Sequence, residues 1–276
     1  MSNLRVAISA PIDSNLYSLL VTQGCIKLEN VEIVGVIALK TFTIERAWYE
    51  YTRFGKKIFR KIFNKYFNAN ASLQSNIQNK AGEYLSMDLG LEHKTLKKLT
   101  GSNNIPFLKV ESPNCKSSLE FLKKHSPDII LSIGSFIVKK PFLQIPKNGV
   151  FYVHMGILPE YRGIGVTEWP IIENTLKEIG LGVSLHLMER GVDTGPVLMK
   201  RYISLTKGDT LVSLESKYLK EMVNLMILGV QMLRDKELKP VPQKKSEGKQ
   251  YFETHKRMNK LAQQQLSCIT NDDLIR

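Results

Sequence analysis

The chain has 276 residues, 43% of them hydrophobic and 24% charged, and a formal net charge of +13. That is apolar material for one large domain or a domain plus an appendage, and it argues against global disorder. The sequence also lacks an apolar run near the roughly twenty residues of a membrane-spanning helix, a basic-then-apolar plan in Met1 to Val6, and any CxxC pair among Cys25, Cys115 and Cys268.

These features lead us to expect a cytoplasmic protein with free thiols and no disulfide, zinc site or other metal site. The positive charge admits an anionic partner: nucleic acid, a membrane surface or a phosphorylated substrate. It is equally served by solvated lysine.

Leu4 to Ala10 reads as a buried strand, Asn15 to Gln23 as a helix carrying Leu16, Leu19 and Leu20, and Val31 to Ala38 as a second strand. This βαβ opening predicts a parallel sheet. The turn Pro11 to Asn15 holds none of the glycines of GxGxxG, which disfavours a dinucleotide cofactor. Residues 42–69 form a basic amphipathic pattern. Phe54, Ile58, Phe59, Ile62, Phe63, Tyr66 and Phe67 recur at helical spacing among Arg53, Lys56, Lys57, Arg60, Lys61 and Lys65. Such a helix makes peripheral contact with an anionic membrane, binds a partner, or packs its aromatic face on its own domain.

Residues 70–105 are polar, with short helices and loops expected. Pro106 to Val110 reads as a strand, Ser117 to Lys124 as a helix and Asp128 to Ile133 as an apolar strand. Val150 to His154 is another strand, and Thr167 to Leu176 a helix with Pro170 in its first turn, where proline is tolerated. Leu181 to Met188 and Pro196 to Ile203 predict a hairpin around Asp193. Leu211, Leu214, Tyr218, Met222, Leu225 and Met232 predict a helix within Asp209 to Asp235. Beyond Pro240 the chain turns polar and basic. No repeats and no RNA-binding module are found, so nucleic acid is a poor partner.

Within this frame Tyr152 and His154 share a face, because alternate strand residues do. Polar groups at the end of an apolar strand are where open α/β sheets place their chemistry. Gly191 and Gly195 bracket Asp193 in a turn that can bring a carboxylate beside an imidazole, fixing its tautomer and raising its basicity.

His154 to Gly163, read as His-x-Gly-x-Leu-Pro-x-Tyr-Arg-Gly, is followed by Gly182-Val183-Ser184-Leu185-His186 and by Asp193-Thr194-Gly195. In order and spacing these motifs resemble the folate-dependent formyltransferases, a family that includes methionyl-tRNA, glycinamide ribonucleotide and sugar-nucleotide N-formyltransferases. The likeness covers residues 125–205 well and 1–40 loosely. It implies a Rossmann-like α/β formyltransferase fold with a mostly parallel sheet, flanking helices and a short C-terminal appendage. The implied organisation is a catalytic domain over 1–205 with a basic helical insert near 42–105, a helix and connection over 206–246, and a basic polar tail over 247–276. Such a tail is too short for the β-barrel with which full-length methionyl-tRNA formyltransferases hold tRNA, and the insert differs from theirs.

By that resemblance the cofactor is 10-formyltetrahydrofolate. An amine attacks its formyl carbon, a tetrahedral oxyanion forms, and tetrahydrofolate leaves through its nitrogen. His154 and Asp193 take the family's catalytic places, while the family's asparagine, an oxyanion donor, is replaced by Tyr152. The pterin would lie near Phe107, Leu108, Ile133, Leu158, Pro159, Glu189, Arg190 and Val192, and the amine near Tyr161, Arg162 and Gly163, with Arg162 meeting a phosphate or carboxylate or fixing its own loop. His186 reads as structural. The expected acceptor is a small anionic amine, best a nucleotide-linked amino sugar. Two alternatives stay open: a catalytically impaired folate- or nucleotide-binding homologue, and a 10-formyltetrahydrofolate hydrolase.

Overall fold

The computed structural model describes residues 3–40, 82–134, 137–244 and 246–268. The expected basic helix over 42–69 and the far end of the tail, 269–276, lie outside the described residues. Strand β1 (Leu4–Ala10), helix α1 (Leu16–Ile26) and strand β2 (Val31–Leu39) form the opening unit, with β1 and β2 parallel. Helix α1 starts at Asn15, whose side chain accepts from the Ser18 amide, satisfying one of the free donors of the first turn.

Helix α2 (Leu96–Ser102) leads into β3 (Phe107–Val110), and α3 (Lys116–His125) into β4 (Ile129–Ser132). A short α4 (Lys140–Leu143) precedes β5 (Val150–His154). After β6 (Tyr161–Gly163) and α5 (Glu168–Ile172), the antiparallel hairpin β7 (Gly182–Leu187) and β8 (Val197–Tyr202) closes the sheet edge. Helix α6 (Leu211–Arg234) then crosses the sheet, and β9 (Lys249–Tyr251) and α7 (Lys256–Ser267) are the last described elements.

The main sheet has seven strands in the order β3-β2-β1-β4-β5-β7-β8, parallel through β5 and antiparallel beyond it. Its central strands are buried on both faces, which is why they read as continuous apolar runs. Alternation sorts the side chains between two cores. Ile129 and Leu131 join Phe151 and Val153 under α1 and α6, while Ile130 and Val150 join Leu122 and Phe142 on the other face. Each fully buried Leu, Ile or Phe contributes about 1.5–3 kcal/mol.

That alternation aims the site. Phe151 and Val153 point into the larger core, so Tyr152 and His154 face the opposite side of β5. They lie at the strand's C-terminal end, where the parallel order gives way to the antiparallel hairpin.

The region beyond Pro240 is built rather than trailing. β9 pairs in parallel with β6, Tyr161 opposite Lys249 and Gly163 opposite Tyr251, and α7 buries Ala262 and Leu266 in the larger core. A stretch whose composition reads as a polar, basic tail or short appendage is thus ordered by partners distant in sequence. The helix expected over Thr167 to Leu176 is shorter, ending at Ile172, and the Asn174 backbone turns left-handed.

Candidate active site

The loop after β5 folds back so that His154 meets the next strand. His154 is buried, and its Nε2 lies 2.8 Å from the Tyr161 carbonyl. A carbonyl only accepts, so Nε2 carries the proton and Nδ1 is the bare nitrogen of the neutral ring. Gly156 makes this approach possible: a Cβ there would fall 2.8 Å from His154 Nε2 and 2.9 Å from the Tyr161 oxygen, closer than non-bonded carbon sits. This is the physical reason for glycine two places after the histidine.

The hairpin brings in the carboxylate. Asp193 occupies the left-handed region at φ 52° between β7 and β8, a conformation that Asp tolerates better than most side chains. Its Oδ2 stands 3.4 Å from His154 Nδ1 and accepts from the Gly163 amide at 2.9 Å. Its Oδ1 stands 3.5 Å from His186 Nε2. His186 is buried and donates from Nδ1 to the Leu187 carbonyl at 2.8 Å.

One carboxylate therefore faces a ring nitrogen of each of two histidines. Burial works to raise the Asp193 carboxyl, but His186, His154 and the Gly163 amide outweigh it and hold it below the usual carboxylate range. Burial lowers His154, with Asp193 and the Tyr161 carbonyl opposing and His186 adding to the decrease. The resting arrangement is an ionised carboxylate beside a neutral His154 ring. A proton released by a bound nucleophile would be held on His154 against that carboxylate.

The C-terminal segment fixes this turn. Gln243 donates from Nε2 to the Asp193 carbonyl at 2.9 Å and to the Gly195 carbonyl at 2.6 Å. Its Oε1 accepts from Arg162 Nε at 3.0 Å, and Arg162 Nη2 donates to the Lys244 carbonyl at 3.2 Å. Gly163 has φ 94°, and a Cβ there would strike the Tyr251 carbonyl of β9.

Tyr152 is half-buried, with its ring edge-on to His186 at 5.6 Å and 83°. It stands with Gly163 and Ile164 in the wall between two clefts. One, about 380 Å³, reaches His154, Thr167, Glu168 and Tyr218. The other, about 410 Å³, reaches Glu189, Arg190, Val192, Asp193 and Ile137. Val192 and Ile137 are exposed at its mouth, a surface suited to a flat apolar ligand.

Several expected contacts lie elsewhere. Phe107 and Leu108 sit on β3 at the far edge of the sheet, packed against the two cores, and line neither cleft. Ile133 is buried in the larger core, and Leu158 is buried behind its own loop with its amide on Ser184 Oγ at 3.0 Å. Pro159 sits in the same loop, its carbonyl packed against Gly248 of the C-terminal segment. Tyr161 is buried rather than open to a ligand: it stacks on Tyr251 at 4.9 Å, and its hydroxyl meets Glu173 at 2.8 Å. Arg162 is buried and turned toward the C-terminal segment, where it meets Gln243 and the Lys244 carbonyl. Gln243 carries no motif. Only its place beside β6, set by tertiary pairing, reveals it.

The formyl transferase family matches residues 92–230. The chain is 31% identical over 162 residues to the methionyl-tRNA formyltransferase of Pelobacter propionicus, covering 57% of this chain and 50% of that one. It thus spans about half the length of the curated relatives it matches. Among solved structures, the phosphoribosylglycinamide formyltransferase of Anaplasma phagocytophilum superposes with a TM-score of 0.54 at 18% identity, over 90% of this chain and 99% of that one. The N-formyltransferase of Helicobacter canadensis, in complex with folinic acid and dTDP-3-aminofucose, gives 0.52 at 17%, over 90% and 70%. At such identities the structural likeness concerns the fold, which has the same mostly parallel sheet with flanking helices.

Proposed function

The chain belongs to the formyl transferase family, and from that premise we propose that it moves a formyl group from 10-formyltetrahydrofolate to the amine of a small acceptor. The observation that carries this reading is Asp193 lying between His154 and His186, next to Tyr152 and at the wall shared by two clefts. Acyl transfer needs a proton acceptor for the nucleophile, a donor for the oxyanion and room for both reactants.

In this reading the folate enters on the Asp193 side, against Ile137, Glu189, Arg190 and Val192. The amine approaches from the His154 side. His154 accepts the proton of the attacking amine at Nδ1, and Asp193 stabilises the imidazolium across 3.4 Å. The Tyr152 hydroxyl replaces the amide donor toward the oxyanion. A nucleotide-linked amino sugar remains the favoured acceptor, supported by the net charge of +13 and by the fold shared with the Helicobacter canadensis protein. The setting would be the cytoplasm. Among the described residues no helix is long and apolar enough to cross a membrane.

The test is amine-dependent release of tetrahydrofolate from 10-formyltetrahydrofolate, followed by absorbance. His154→Ala and Asp193→Asn should abolish it. Formate release without an amine would instead assign a hydrolase. Folate binding with neither product would assign a binding protein.

A further inference from the structure

The cleft on the His154 side is charged opposite to the chain as a whole. Among the described residues, its charged lining residues apart from His154 are Glu168, Glu215 and Glu253, and none is a lysine or arginine. Glu168 and Glu253 have no ion-pair partner among the described residues. At the floor is Tyr218, 1% exposed, whose Oη lies near Thr167 and Glu168 without reaching a hydrogen bond. The Asn259 side-chain oxygen, also on the lining, is buried and unpaired.

A ligand filling this space with anionic or neutral groups would take the Glu168 and Glu253 carboxylates out of water with no ion pair to offset the cost. It would also leave two buried oxygens unsatisfied. An ammonium group supplies three donors and the opposite charge. The amine that receives the formyl group cannot be that cation, because it must be neutral to attack. Nor do the described lining residues offer a phosphate a cation.

We propose that this cleft holds a second, protonated amine of the acceptor, so that the acceptor is a diamine. Joined to the reading above, on which it rests for the cleft's identity as the acceptor side, this makes the reacting end a diamino sugar. Any nucleotide it carries lies outside the cleft.

The experiment uses the full chain and calorimetry with three probes: glucosamine, 2,6-diamino-2,6-dideoxyglucose and glucosamine 6-phosphate. The diamino sugar should bind about tenfold more tightly than glucosamine, as two partly screened charge pairs allow, and the 6-phosphate most weakly. The combined Glu168→Gln and Glu253→Gln variant should erase that order. Equal affinities, no binding of the diamino sugar, or an order that survives in the variant would overturn the proposal. Tetrahydrofolate release with the same amines separates the two levels. Transfer without a preference for the diamine keeps formyl transfer and removes the cationic subsite. A preference in binding without transfer keeps the subsite and removes the chemistry.

Discussion

Gln243 donates from a single amide nitrogen to the carbonyls of both Asp193 and Gly195, at 2.9 and 2.6 Å, from a segment some fifty residues further along the chain. The carboxylate that faces two imidazoles is therefore aimed by a residue belonging to neither the sheet nor its loops. Arg162 in turn holds Gln243 from β6. The basic stretch after Pro240 acts as a strap across the catalytic turn, with Lys244 exposed while Gln243 points in.

Replacing Gln243 with alanine should loosen that turn. Three hydrogen bonds of about 0.5–1.5 kcal/mol each are lost, two to the turn and one from Arg162, and the melting temperature should fall. A small displacement of Asp193 should cost kcat about tenfold, with KM for the folate less affected. A variant with normal kcat would show that the hairpin alone positions the carboxylate.

The pH profile follows from the two shifted groups. His154 must be neutral to accept a proton, and its pKa lies below the ordinary 6.5 because burial outweighs Asp193. As pH falls through that lowered value the ring takes a proton from solvent and kcat/KM drops. Asp193 is held low and stays ionised across this range. The acid limb should therefore lie below 6.5. In Asp193→Asn, whose charge no longer favours the imidazolium, any residual activity should show a limb moved further toward acid. A limb above 6.5 would mean a different proton acceptor.

Gly156→Ala should separate His154 from Tyr161, since the added carbon falls within 2.9 Å of both partners. The ring would lose the carbonyl that fixes its tautomer, leaving a buried N–H short of a partner at about 1–3 kcal/mol. Loss of turnover with folate affinity retained, read by calorimetry, is the expected pattern.

How much of this was legible beforehand depends on the range of the interactions. The strands of the parallel sheet, the hairpin around Asp193 and the face shared by Tyr152 and His154 follow from local periodicity, and all are present. Arg162 illustrates what is not local. Its motif position looks like that of a ligand-binding cation, yet its direction is set by Gln243 and Lys244, and no pattern near residue 162 encodes them. Phe107 and Leu108 were placed by analogy along the chain, but strand order sends β3 to the far edge of the sheet. The acidic lining that includes Glu168, Glu215 and Glu253 is likewise assembled from three separate segments, and the overall charge of +13 conceals it.

Tyr152 offers the sharpest test. Its ring stands edge-on to His186 in the wall between the clefts, where the resembling family has a short amide. If its hydroxyl donates to the oxyanion, Tyr152→Phe should keep the ring's packing and lose about 100- to 1,000-fold in kcat, the usual effect of one such donor. Folate affinity should barely change, because the hydroxyl acts on charge that exists only after attack. Tyr152→Asn shortens the side chain and opens the wall. It should retain part of the activity if the formyl oxygen can follow the donor inward. The opposite pattern, an inert native protein to which Tyr152→Asn confers turnover, would show that the ring occupies the formyl group's own space and that the native protein binds without reacting.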